Sequence, residues 1–202
     1  MIGYFGYTVL ITYVNVAIAM MGMHFAIGHS IREAMLCLIV CGILDMLDGP
    51  VARTKERDDT EKSYGIQIDS LADIICFGVF PVIIGYSIGL TEPVHMALFS
   101  LYAVAALIRL GYFNVLAIEM QKNNERNSFY LGLPVTSSSI LIPITYAASL
   151  FFGFSYAAVY PYLVLAILCA FLAKIKLPKP RLRQMLLFTL VCSPLIYYIW
   201  VN

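Results

Sequence analysis

Polar residues are sparse enough along this chain to act as punctuation. Between them run seven apolar stretches, at roughly residues 8–28, 34–53, 64–90, 94–120, 133–153, 157–174 and 185–201. A helix needs about 20 mostly apolar residues to cross a bilayer, and each stretch approaches or exceeds that length. The runs are too long for strands and lack the alternation of a lipid-facing barrel. The connections are short, mostly under about a dozen residues, as in a compact bundle. The pattern predicts an all-α, polytopic membrane protein whose single domain covers residues 1–202. No positive residue precedes the first run and no small-residue cleavage site follows it, so it is expected to be a retained span rather than a signal peptide.

Composition agrees with the pattern. Hydrophobic residues make up 61% of the chain and the mean hydropathy is +0.84. Charged residues make up 12%, against roughly 25% in soluble domains, which excludes a soluble globule. Disorder needs low hydrophobicity and high net charge and is excluded as well. The 13 basic and 12 acidic residues nearly cancel, so no basic field calls for a nucleic acid.

The positions of the basic residues set an expected topology. With the N-terminus inside, the inner connections carry Arg53, Lys55, Arg57 and Lys62, then Lys122 and Arg126, then Lys174, Lys176, Lys179, Arg181 and Arg183. Arg32 falls outside and Arg109 lies within a span. His24, His29 and His95 fall near the outer ends. The tyrosine-rich ends and Trp200 read as an aromatic belt. All five cysteines sit in apolar runs, where a disulfide framework is not expected. Cys37 and Cys41 share a helix face, but no His or second Cys pair accompanies them at zinc spacing, so they read as packing residues.

Four acids break the apolar pattern of the second and third spans: Asp45, Asp48, Asp69 and Asp73. A charge inside the bilayer costs at least about 2.5–3.5 kcal/mol, and four neighbouring carboxylates repel one another. A bound divalent cation removes both penalties. The spacing lets the acids converge. Asp45, Asp48, Gly49 and Ala52 share one helix face, as do Gly65, Asp69, Ala72 and Asp73 on the next span. Small residues beside the acids allow close approach of a helix or a ligand. Oxygen ligands suit Mg²⁺, Mn²⁺ or Ca²⁺. Four carboxylates fit two ions a few Å apart, an arrangement that recurs in phosphoryl transfer. Arg53 follows the acidic face, either as a positive-inside anchor or as a phosphate clamp.

The stretch Asp45-Met-Leu-Asp48-Gly49-Pro-Val-Ala52-Arg53, followed by Gly65-Ile-Gln-Ile-Asp69-Ser-Leu-Ala-Asp73, resembles the signature of the CDP-alcohol phosphotransferase family. That signature is D-x-x-D-G-x-x-A-R, a spacer, then G-x-x-x-D-x-x-x-D. The family spacer is usually eight residues, whereas Thr54 to Tyr64 is eleven, the extra length being a mixed-charge loop. The resemblance implies an integral membrane enzyme, usually a homodimer, with six core spans; the run at 185–201 would be an additional C-terminal span. It implies two divalent cations, Mg²⁺ or Mn²⁺, and displacement of CMP from a CDP-linked lipid by an alcohol. It implies that Asp45 and Asp69 touch both metals, Asp48 the first and Asp73 the second, with Asp73 also the base. Gly49, Ala52, Arg53 and Gly65 would line the CDP site, with Ser63 as the loop residue. The implied location is the cytoplasmic membrane, with the site facing the cytoplasm.

Later segments bear on the acceptor. Ile108-Arg109-Leu110-Gly111-Tyr112-Phe113-Asn114 resembles the R-L-A-R-F-N segment of the phosphatidylserine synthase branch, and Phe129-Tyr130-Leu131-Gly132-Leu133-Pro134 resembles its F-x-G-L-P loop. Cys76-Phe77-Gly78 with Pro81, and Thr12 with Asn15, also resemble that branch. Tyr112 replaces a frequent second Arg and Gly111 a frequent Ala. The implied substrates are CDP-diacylglycerol and L-serine. Glycerol 3-phosphate or inositol remains open as the acceptor, and a divalent-cation transporter is the reading from another class. From the residues alone, Arg109 either balances the acids or holds an anionic group. Asn114 lies about 140° around the helix from it. Gly132 and Pro134 fit either an acceptor site or an ordinary helix start. Ser137, Ser138 and Ser139 are expected to pack between helices.

Overall fold

The computed structural model describes residues 3–4, 6–52, 54, 58–123, 129–174, 176–178 and 193–201. Helix α1 (Tyr7–Ile27) ends at Gly28, whose N–H is bonded to the His24 carbonyl, and His29 turns the chain with φ of 60°. Helix α2 (Ile31–Ala52) returns and packs along α1. Helix α3 (Asp59–Asp73) starts before the apolar run predicted at 64–90. The reason is local. The Asp58 carboxylate caps the helix by accepting the Glu61 N–H at 2.6 Å, and Asp59 and Glu61 place negative charge in the first turn.

Directly after Asp73 the helix widens into a π segment (Ile74–Val79), then tightens into α4 (Phe80–Ser87). In an α-helix the Phe77 carbonyl would accept from residue 81, which is proline and has no N–H. The buried Tyr102 hydroxyl donates to that carbonyl instead, at 2.8 Å. Tyr160 likewise donates to the Pro81 carbonyl at 2.6 Å. The π segment and the first turn of α4 are thus each held by a tyrosine from another helix.

Helix α5 (Pro93–Asn123) opens on proline, which suits a first-turn position, and its 31 residues extend about 46 Å. Helices α6 (Ser138–Phe152) and α7 (Tyr156–Leu172) complete the bundle; Gly153, at φ of 71°, ends α6. Among the described residues five helical segments are long and apolar enough to cross a membrane: Tyr7–Ile27, Ile31–Ala52, Asp59–Ser87, Pro93–Glu119 and Val135–Phe152. Tyr156–Leu172 is a shorter apolar helix. Residues 193–201 are helical, and the start of the run predicted at 185–201 lies outside the described residues.

The core is the shared interior of these helices, with Phe77, Phe80, Phe99, Tyr102 and Tyr160 fully buried. Phe80 and Cys37 press so closely on Gly22 that a side chain there would overlap both. Cys37, Cys41, Cys76 and Cys169 are free thiols; Cys192 lies outside the described residues. One element escapes the apolar pattern. Two three-residue strands, β1 (Phe129–Leu131) and β2 (Lys176–Pro178), pair antiparallel and tie the α5–α6 connection to the segment after α7.

Candidate active site

The two acidic helix faces meet. Asp45, Asp48 and Asp69 each present a carboxylate oxygen, and these oxygens lie within 4.8 Å of one another. The buried Asp73 is in side-chain contact with Asp45, and Asp48 with Asp69. Packing four carboxylates together, one buried and three half-buried, is unfavourable unless a cation or protons offset their repulsion. Clustered carboxylate oxygens without nitrogen or sulfur ligands fit a hard divalent cation, so the donor set passes the chemical test for Mg²⁺ or Mn²⁺.

Asp45 has a partner that spacing along the chain did not reveal. The Thr136 hydroxyl donates to its Oδ2 at 2.7 Å. Thr136 sits in a single 3-10 turn (Val135–Ser137) that leads into α6. Pro134 immediately precedes this turn. Gly132 has φ of +75°, and a Cβ there would lie 2.8 Å from the Phe171 carbonyl oxygen, so glycine is required for the connection to dock on the end of α7. The Leu133 N–H bonds to the Ala170 carbonyl at 3.0 Å and completes that docking.

An open recess of about 150 Å³ adjoins the acids. Asp48, Gly49 and Ala52 of α2 form one wall, and Lys62, Gly65 and Asp69 of α3 another. A Cβ at Gly49 would meet no atom of another described residue within 4 Å, so packing does not demand glycine there. The third wall is α1, through Thr8, Val9 and Thr12. Thr8 is 4% exposed and its hydroxyl oxygen has no hydrogen-bond partner among the described residues. Lys62, read from sequence only as a topology marker, also pairs with Asp59 at 3.1 Å.

The remaining candidates divide. Arg53 lies outside the described residues. Ser63 is turned into its own helix, donating to the Asp59 carbonyl at 2.8 Å, and is not part of the recess wall. Asn114 bridges α5 to α3: it accepts from Ser70 at 2.6 Å and donates to Gln67 at 3.4 Å. Arg109 is buried, with its guanidinium 4.6 Å from the Phe113 ring centroid. Thr136, Thr8, Ser70 and Gln67 were not anticipated from the sequence.

The profile of the CDP-alcohol phosphatidyltransferase family matches residues 7–173, from the start of α1 to just past α7. The chain belongs to this family. Among curated proteins, the CDP-diacylglycerol–serine O-phosphatidyltransferase of Mycobacterium tuberculosis (strain ATCC 25618 / H37Rv) is 32% identical over 143 residues, covering 70% of this chain and 49% of the relative. The protein of that name from Helicobacter pylori (strain ATCC 700392 / 26695) is 32% identical over 138 residues, covering 66% and 54%. An archaetidylserine synthase of Methanothermobacter thermautotrophicus is 26% identical over 171 residues, covering 84% of this chain and 68% of the relative. The chain spans about half the length of the mycobacterial and Helicobacter relatives. Membership of a transferase family disfavours the transporter reading.

Proposed function

We propose that this protein transfers the phosphatidyl group of CDP-diacylglycerol to the hydroxyl of L-serine, forming phosphatidylserine and releasing CMP. The observation that carries the reading is the convergence of Asp45, Asp48 and Asp69 beside a recess walled by Gly49, Ala52 and Gly65. The names of the relatives favour serine as the acceptor.

Asp45, Asp48, Asp69 and Asp73 hold two divalent cations, Mg²⁺ or Mn²⁺, which when bound neutralise the pyrophosphate and the CMP leaving group. The small residues Gly49, Ala52 and Gly65 leave room for the CDP portion. Arg53 clamps a phosphate from the adjoining segment, whereas Ser63, its hydroxyl bonded to the Asp59 carbonyl, takes no part. Asp73 takes the proton of the serine hydroxyl as its oxygen attacks the diacylglycerol-side phosphorus. The phosphorus–oxygen bond to CMP breaks, CMP leaves with that oxygen, and the proton passes from Asp73 to solvent. Arg109 holds the serine carboxylate or the lipid phosphate, and Asn114, Gly132 and Pro134 are the further acceptor-site candidates. The protein works in the cytoplasmic membrane with this site facing the cytoplasm, as a homodimer of chains with six core spans and a further C-terminal one.

The test is incubation of the purified protein with CDP-diacylglycerol, Mn²⁺ or Mg²⁺, and labelled serine, with glycerol 3-phosphate and inositol in parallel. Labelled phosphatidylserine and stoichiometric CMP are expected. Product from glycerol 3-phosphate or inositol with none from serine would overturn the acceptor. Metal flux into proteoliposomes with no lipid product from any acceptor would overturn the transferase itself.

A further inference from the structure

We infer that Thr136 is a positioning residue for the metal centre: its hydroxyl fixes the orientation of the Asp45 carboxylate, so the turn before α6 sets how well the cluster binds divalent cations. The inference rests on the metal-binding reading above and adds a group outside the aspartate signature.

Three observations support it. The hydroxyl donates to Asp45 Oδ2 at 2.7 Å, occupying one oxygen and constraining the plane of the carboxylate. The turn carrying Thr136 is itself held. Ser138 donates to the Val135 carbonyl at 2.9 Å, and Ser139 to the Thr136 carbonyl at 2.7 Å. Finally, the turn is pinned to the helix that bears Asp45. Gly42, one turn before Asp45, faces Ser139 so closely that a Cβ at residue 42 would overlap the serine side chain. Donor and acceptor therefore sit on two elements locked in register. Outer hydrogen bonds of this kind orient ligating groups, and removing one typically weakens metal binding about 10- to 100-fold.

The experiment measures Mn²⁺ binding directly, by the loss of the free-ion paramagnetic resonance signal, in purified full-length wild type, Thr136→Val and Thr136→Ser. Thr136→Val is expected to bind Mn²⁺ roughly tenfold more weakly. Thr136→Ser, which keeps the hydroxyl, is expected to stay within about twofold of wild type. At saturating Mn²⁺ the KM for serine should be unchanged in both, because the hydroxyl is committed to Asp45. If Thr136→Val does not fold, Thr136→Ala repeats the test without the branched methyl. Wild-type affinity in the valine or alanine variant, or failure of serine to rescue, would overturn the inference. Absence of Mn²⁺ binding by wild type would instead overturn the metal reading on which it rests.

Discussion

Gly49→Ala separates folding from ligand binding. Residue 49 lies three positions before the end of α2, and an added methyl meets no atom of another described residue within 4 Å. Two backbone effects oppose each other. Replacing a helical glycine by alanine stabilises by roughly 0.5–1 kcal/mol. A Cβ on the residue before a proline, here Pro50, is disfavoured in helical geometry. The net change in stability is expected within about 1 kcal/mol of zero, or a few degrees in thermal midpoint for a chain of this size. The recess behaves differently, because the methyl occupies space that a nucleotide phosphate would need. Overpacking by one methyl costs about 1–3 kcal/mol, equivalent to roughly 5- to 150-fold weaker binding. Titration of CMP in the presence of Mn²⁺, followed calorimetrically, reads that loss while the thermal midpoint without ligand reads the fold. Unchanged CMP affinity in a normally stable variant would refute the assignment of this recess to the nucleotide.

Three further outcomes are expected. Asp73→Asn should retain CMP binding within a few-fold but lose serine transfer, measured as labelled lipid per enzyme; sustained turnover would place the base elsewhere. Tyr102→Phe removes the donor to the Phe77 carbonyl and should lower stability by about 0.6–1.5 kcal/mol, read as a lower thermal midpoint, since hydrogen bonds within membranes average near the low end of that range. Gly132→Ala forces a side chain into a left-handed conformation and against the Phe171 carbonyl, so it should cost at least about 1–2 kcal/mol in the same assay.

The acidic cluster was legible because helical periodicity places i, i+3, i+4 and i+7 on one face regardless of what surrounds the helix. The same logic brought Gly49, Ala52 and Gly65 into a common recess with the acids. Thr136 was not legible, since its contact with Asp45 crosses 91 positions and depends on α6 meeting α2 at Gly42. The π segment was hidden for a related reason. Pro81 hints that a carbonyl loses its donor, but the hydroxyl that satisfies it comes from another helix. Ser63 shows the converse limit. Proximity to Gly65 in the chain suggested a place in the recess, while its hydroxyl bonds back to Asp59. Lys62, one residue away, lines the recess because a single residue turns the helix by about 100°.

The Asp58 cap also explains how the signature accommodates its long spacer. Helix α2 ends at Ala52 and α3 begins at Asp59, so Asp59 to Tyr64, the second half of the eleven-residue spacer, is already helix. Three residues beyond the usual eight correspond to nearly one turn of 3.6 residues. Helix added ahead of Gly65 extends α3 at its N-terminal end by about 1.5 Å per residue and leaves Gly65, Asp69 and Asp73 on one face, because their mutual spacing is untouched. Length variation in this segment should therefore be tolerated residue by residue, since the second half-motif carries its own register.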